Sequence, residues 1–311
     1  MRYLSASFII LLSLLFMMGC VRDSNKDCPT IDHNNLELKF IYINNLDKDV
    51  FAEHINRVHV FIYDAEYKLY QKQLVDKESL LRDASLQLYL PEGKYHIVCW
   101  GNALDKTSFI NTELYEDFKD AYAENNSVNV NGFAPNGDPL YFAPKQSAEP
   151  IEVVVPEVGV IIKEVPFKSA HAQVKIYVKG FEDKALTGEK LEPMLELSNV
   201  SDKYNFKLET SNTFIGYKDI AKYGLASDEN IAFIQFNTPL FEEDTLLELN
   251  LGKSSTAEIL TTIRLSEFIL NNQIDLLGVD QIVVPIMIEF KGAEVTIDLP
   301  SWENIPVDPE L

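Results

Sequence analysis

Leu86-Gln87-Leu88-Tyr89-Leu90-Pro91-Glu92-Gly93-Lys94-Tyr95-His96-Ile97-Val98-Cys99-Trp100 decides the fold class. Leucine at every second position puts Leu86, Leu88 and Leu90 on one face of an extended chain, Pro91-Glu92-Gly93 supplies a turn, and an apolar run follows, so the stretch predicts a β-hairpin. The same period of two recurs along the chain. Leu36, Leu38, Phe40 and Tyr42 share a face, and Val58, Val60 and Ile62 share another with His59, Phe61 and Tyr63 opposite. Later alternating runs cover Ala172–Val178, Leu247–Leu251, Ala257–Leu265, Ile282–Ile288 and Val295–Leu299. Helical spacing is confined to Glu78–Arg82 and to Tyr115–Asn125, where Tyr115, Phe118 and Tyr122 fit one short amphipathic helix. Many short strands and few helices predict an all-β protein of stacked antiparallel sheets. Turn residues cluster in Asn131–Pro139 and Pro144–Pro150, which places a division near residue 150: an N-terminal β-sandwich over 31–150 and a C-terminal one over 151–311.

Composition excludes several function classes. The 311 residues carry 48 acidic against 27 basic side chains, a net charge of −21, with 46% hydrophobic residues. That apolar content supports packed cores and argues against disorder. The acidic excess argues against nucleic acid, whose binding requires lysine and arginine on phosphates. Three cysteines are too few for a disulfide framework or a cysteine-rich zinc fold. His33, His54, His59, His96 and His171 show no metal-ligand spacing; His59 and His96 are expected as neighbours on paired strands, read as part of a polar face. No nucleophile elbow, phosphate loop, dinucleotide fingerprint or calcium loop occurs, so neither an enzyme nor a cofactor or metal site is expected.

The N-terminus carries an address. Met1-Arg2-Tyr3 precedes an apolar run over residues 8–18, too short to span a bilayer and of the length of a signal-peptide core. Gly19-Cys20 follows and resembles the lipobox of bacterial lipoproteins, with Met17 and Met18 departing from its usual spelling. The expectation is a lipoprotein signal peptide over 1–19, cleavage between Gly19 and Cys20, acylation of Cys20 and a polar tether over 20–30. An ordinary secretory signal with a chance cysteine, or a retained helical anchor, is the plainer alternative. With Cys20 used as the anchor, Cys28 and Cys99 form a candidate disulfide in an oxidising compartment, against a free, buried Cys99 packing as a small hydrophobe.

Taken together, the acylated cysteine, the Leu36–Phe40 strand, Val58-His59-Val60-Phe61-Ile62-Tyr63-Asp64 and the hairpin from Leu88 to Asn102 resemble the FimB-like fimbrial anchor subunits of Bacteroidia. Asp138–Ala143, Val174–Val178 and the closing Val295–Trp302 fit the same pattern. The resemblance implies two transthyretin-like, Greek-key β-sandwich domains at the base of a type V pilus, a lipid-held subunit that attaches the fibre to the outer membrane and limits its length. It implies other fimbrial subunits as partners through β-strand exchange. A donated strand adds main-chain hydrogen bonds along a sheet edge while alternate side chains fill pockets. Ile282–Ile288 and Val295–Leu299 are the candidate exchange segments, with an ordinary core strand as the alternative for each. A pilus-tip adhesin or other surface glycan- or host-binding lipoprotein is the second functional reading; Tyr67, Tyr70, Tyr115, Tyr122 and Trp302 are the aromatics that would stack on sugars. Asp244-Thr245-Leu246 resembles an O-glycosylation site of exported Bacteroidia proteins.

Overall fold

The computed structural model describes residues 34–113, 120–145, 149–182, 191–224, 229–277, 279–292 and 294–301. Two β-sandwiches and a small third sheet account for the strands. In the first sandwich, β1 (Leu36–Ile41) lies between β4 (Ser85–Leu88) and β11 (Ile161–Pro166), antiparallel to the former and parallel to the latter. Facing this sheet is one built on β5 (Gly93–Gly101), flanked by β2 (Val58–Tyr63), β9 (Tyr141–Ala143) and β10 (Ile151–Val155), with β3 (Leu69–Val75) and β12 (Lys168–Ser169) at its edges. The hairpin predicted over Leu86–Trp100 is not formed: the chain does turn at Pro91–Gly93, but β4 pairs with β1 while β5 pairs with β2, β9 and β10, so the turn carries the chain from one sheet to the facing one, and Leu88 and Leu90 enter the same core as Tyr95 and Ile97. Leu36, Leu38 and Phe40 meet Val58, Val60, Ile62 and Ile97 between the sheets, all fully or almost fully buried.

The other face of the β5 sheet is buried as well. Phe61, Tyr63, Val98, Trp100 and Phe142 pack under a three-stranded sheet of β6 (Thr107–Ile110), β7 (Tyr122–Asn125) and β15 (Lys203–Asn205), together with Tyr204, Phe206, Ala121 and Ala123. A strand covered on both faces reads as a continuous apolar run, which is why Tyr95–Trp100 lacks polar alternation. The helix expected over Tyr115–Asn125 is not formed where it can be seen. Tyr122–Asn125 is strand β7, and 114–119 lie outside the described residues. The deciding pair is Ala121 and Ala123, both buried two residues apart, small enough to let the strand approach Trp100 and Tyr204. The short helix expected at Glu78–Arg82 is present as α2 (Lys77–Arg82), after α1 (Phe51–His54); the Asp76 carboxylate caps α2 by accepting from Ser79 N at 2.9 Å.

The second sandwich opposes two five-stranded sheets. One has the order β17 (Lys222–Tyr223), β18 (Ile231–Pro239), β13 (His171–Lys179), β21 (Ile282–Lys291), β22 (Glu294–Asp298). The other has the order β20 (Ile259–Arg264), β19 (Glu248–Lys253), β14 (Pro193–Ser201), β16 (Phe214–Ile220), β8 (Phe133–Ala134). Val174, Ile176, Val178, Val284, Ile286 and Ile288 from the first sheet pack on Leu195, Leu197, Leu249 and Leu251 from the second, while Leu265, Phe268 and Ile269 of α3 (Leu265–Asn271) close one end. Pairing does not respect residue 150. β10, β11 and β12 complete the first sandwich, β8 crosses into the second, and β15 completes the third sheet.

Candidate strand-exchange surface

The registers give the molecule two poles. β1 starts level with Ile161 of the parallel β11, so the chain enters the fold at the outer end of the first sandwich. Beyond its other end, Tyr42 OH donates to the Asp280 carbonyl at 3.0 Å, which carries β1 to the junction between the sandwiches. At that junction Gln281 Nε2 donates to Tyr141 OH at 2.6 Å and lies 3.3 Å from His54 Nδ1, and Asp280 accepts from Asn45 N. Burial, with Asp280 beside it, pushes the Tyr42 hydroxyl up to about 12. His171 opens β13 at the same junction, its Nδ1 2.9 Å from the Leu140 carbonyl. β13 then runs away from the junction to Gly180, and β21 runs parallel to it. Lys179 and Lys291 therefore mark the outer pole of the second sandwich. The sequence pattern held no signal for the roles of Asp280 and Gln281, because they are polar residues in a connection and their partners lie more than a hundred residues away.

At the outer pole of the second sandwich the sheet ends in β22, which is bonded on one side only among the described residues. Its register runs from Met287 opposite Asp298 to Lys291 opposite Glu294, so it covers the outer half of β21. The inner half, Ile282–Ile286, has β13 as its only partner among the described residues. Pro285 falls in that half, where a residue with no N–H to donate is tolerated. Ile282, Val284, Ile286 and Ile288 are all buried in the core, so Ile282–Ile288 is built as a core strand. Val295 and Ile297 are instead half-buried against the rim of that core. Of the two candidate segments, only Val295–Leu299 has the form of a detachable edge, with alternate apolar side chains seated and its outer backbone unpaired among the described residues.

Beside β22 the two sheets part. β20 and β22 end their respective sheets on the same side, and between them a cleft of about 480 Å³ is lined by the apolar Phe181, Leu260, Phe290 and Val295 together with Glu182 and the backbone at Gly180 and Gly292. Gly180 has φ of 70°, and a Cβ placed there would lie 2.3 Å from the Phe290 carbonyl oxygen, so the close approach of the two strand ends requires glycine. An open sheet edge beside a cleft of mixed character, with apolar seats at Phe181, Leu260, Phe290 and Val295, is what an extended segment adding to a sheet uses.

The remaining sequence candidates fall as follows. Gly19, Cys20, Cys28, His33, Tyr115 and Trp302 lie outside the described residues, as does the apolar run at 8–18; among the described residues no helix is long and apolar enough to cross a membrane. The bridge from Cys28 to Cys99 is not shown: Cys99 is a free, fully buried thiol on β5. His59 and His96 do sit on paired strands but not as neighbours, because His59 faces Trp100 and His96 faces Tyr63 across the ladder. The β2–β5 register thus separates them by four residues along the ladder. Burial pushes His59 down to about 4, its Nε2 3.2 Å from the Ala103 carbonyl, and His96 stacks on Tyr67 at 4.2 Å. Tyr70 is exposed on the edge strand β3 and meets Tyr95 edge-on, and Tyr122 lies under the Lys203 ammonium. Thr245 is half-buried in a turn, its Oγ1 accepting from Glu242 N. Among the described residues no cluster of three His, Cys, Asp or Glu could hold a metal ion.

No curated protein matches this chain. Among solved structures, a candidate adhesin from Bacteroides ovatus is similar at TM-score 0.64 and 16% identity, covering 86% of this chain and 94% of that one. A candidate polysaccharide-binding protein from Bacteroides thetaiotaomicron VPI-5482 is similar at TM-score 0.63 and 15% identity, covering 86% and 99%. The fimbrial anchor protein Mfa2 from Porphyromonas gingivalis is similar at TM-score 0.56 and 14% identity, covering 84% and 94%. At such identities the likeness establishes a common fold. The profile of the fimbrillin-A associated anchor proteins Mfa1 and Mfa2 matches residues 25–308, and the chain belongs to that family.

Proposed function

We propose that this protein is a non-enzymatic structural subunit, the lipid-held base of a type V fimbria, fixed in the outer membrane by acyl chains on Cys20 and joined to its neighbouring subunit by β-strand exchange. The observation that carries the reading is the opposition of the two poles. The first described strand begins at the outer end of the first sandwich, and β22, bonded on one side only among the described residues, lies with its adjoining cleft at the outer end of the second. A base subunit needs that arrangement, since its membrane attachment and its fibre attachment must not compete for one surface. Membership of the anchor family supports the same role. Exchange would proceed along β21: as β22 leaves or is extended, an incoming strand inherits the main-chain groups of Met287–Lys291 and the seats of Val295 and Ile297.

Immunogold labelling combined with fibre length in a deletion strain tests the assignment. Label at the cell-proximal end, with overlong or shed fibres in the deletion strain, is expected; attached fibres of normal length that fail to adhere would replace the base subunit with a tip adhesin. Cys20→Ala should lose the acyl mass and leave the membrane fraction. Deletion of Val295–Leu311 should abolish incorporation into fibres while the first sandwich stays folded, and normal fibres from that variant would refute strand exchange through β22.

A further inference from the structure

We propose that the connection Pro156-Glu157-Val158-Gly159-Val160 and the start of β11 form a second, reversible membrane contact, an apolar tip that dips into the lipid surface beside the acylated Cys20. The proposal rests on the acylation of Cys20 proposed above. The tip joins β10 to β11, so it passes from one sheet of the first sandwich to the other across its outer pole. Three aliphatic side chains point out of it: Val158 is 86% exposed, Val160 63% and Ile162 57%. Val154, at the end of β10, is exposed beside them, and Tyr89 is exposed on the neighbouring β4–β5 connection. Gly159 makes the turn with φ of 114°, and a Cβ there would meet nothing within 4 Å, so the apex projects into open space. Isolated exposed valines are ordinary, but several exposed aliphatic side chains clustered on a projecting apex are what a membrane-dipping loop presents.

The occupant follows from where the chain enters. Asn35 O accepts from Ile161 N at 2.9 Å, so the first described residues lie directly against the base of the tip. From Cys20 to Asn34 the chain spans at most about 50 Å when fully extended and less when relaxed. Acyl chains on Cys20 therefore attach on the side of this pole, and the base of the tip lies against the first described residues. The body is strongly acidic, with a net charge of −21, and is repelled by anionic head groups, so the aliphatic side chains of Val158, Val160 and Ile162 are the part of the surface suited to enter. Glu157, exposed within the connection, and Lys163 on β11 are the charges that would stay at the head-group level.

The test uses the full-length protein reconstituted in phosphatidylcholine vesicles with and without brominated acyl chains. Val158→Trp and, separately, Val160→Trp report depth through quenching after subtraction of the wild-type signal; Val130→Trp, at a fully exposed turn leading to β8 of the second sandwich, is the control. Emission from residue 158 or 160 should fall at least twofold in brominated vesicles, and emission from residue 130 should not change. Intact mass separates the two claims. Acylated protein with unquenched tryptophan at both 158 and 160 overturns the tip and leaves the anchor reading standing. Protein without acyl mass overturns the anchor reading, and the tip then stands or falls on whether its tryptophan is still quenched. A blue shift that grows with protein concentration and ignores bromine would assign the apex to a second copy of the chain and overturn the lipid contact.

Discussion

His171 should make the junction between the sandwiches acid-labile. The imidazole is 2% exposed at the start of β13. Its Nδ1–H donates to the Leu140 carbonyl at 2.9 Å, which fixes the tautomer and leaves Nε2 as an acceptor, 3.4 Å from the Gln173 side-chain nitrogen. A second proton would sit on Nε2 against another donor, inside a site without solvent. Burial, with His54 adding to it, pushes the group down to about 4 from an ordinary 6.5. Between those values the unfolded chain binds a proton that the folded chain refuses, so stability falls as pH falls, by about 1.4 kcal/mol per unit. The loss starts near pH 6.5, amounts to about 3 kcal/mol at pH 4 and stops there, because below that both states are protonated. His171→Asn keeps a donor for Leu140 and removes the titration. Urea unfolding at pH 7.5, 5.5 and 4.0, followed by circular dichroism, should show wild type losing about 3 kcal/mol more than the variant over this range. Equal pH slopes would mean that the folded state accommodates the imidazolium and would refute the argument. His59 is also held near 4 by burial but is present in both proteins, and cancels.

Three further outcomes follow from local geometry. Gly180→Val should cost at least about 2 kcal/mol in urea, from the left-handed backbone and the contact with the Phe290 carbonyl, whereas Gly292→Ala, with φ of 66° and open space around it, should cost about 1 kcal/mol; equal effects would remove close approach as the reason for glycine at 180. Cys99 should react with a thiol reagent in denaturant without prior reduction and stay inert in the folded protein, where burial raises its pKa; a requirement for reductant would establish the bridge instead. Ile297→Lys should leave the first sandwich intact and lower recovery in fibres several-fold, while Thr296→Lys, on the alternate side of the same edge, should be tolerated; matching losses would detach incorporation from the seats of Val295 and Ile297.

Sheet class and strand faces were legible because period two is a local property. Val58, Val60 and Ile62 enter one core while Phe61 and Tyr63 enter the other, as alternation requires. Partners were not legible. β1 pairs in parallel with β11 some 125 residues later, and β8, β10 and β15 each join sheets that the turn-rich segments do not predict. Turn residues mark where the chain bends, whereas sheet membership is set by which apolar faces remain uncovered, and that is a property of the assembled layers. At Tyr122–Asn125, the described end of the Tyr115–Asn125 pattern, helical spacing gave way to a strand because two buried alanines at 121 and 123 decide the conformation there, and alanine carries little strand signal of its own.

The exchange surface was partly written in the sequence. Ile282–Ile288 and Val295–Leu299 both alternate, and alternation alone does not separate a core strand from an edge. Two details do. Seven residues with every second one aliphatic, as in Ile282–Ile288, fill a core to its full depth, and the structure buries all four. Val295–Leu299 places only Val295 and Ile297 inward, next to Glu294 and Asp298, and charges at both ends of a short strand are how an edge is kept from indiscriminate pairing. Pro285 adds the complementary sign, since a proline within a strong β pattern requires an unpaired side. Together they describe a sheet whose last strand is short, charged at its ends and shallowly seated, on a neighbour whose remaining edge is open among the described residues. Such a strand contributes little to the core it covers, since Val295 and Ile297 reach only its rim, whereas the four aliphatic side chains of its neighbour β21 fill that core, so depth of burial separates the edge strand from the core strand where alternation does not.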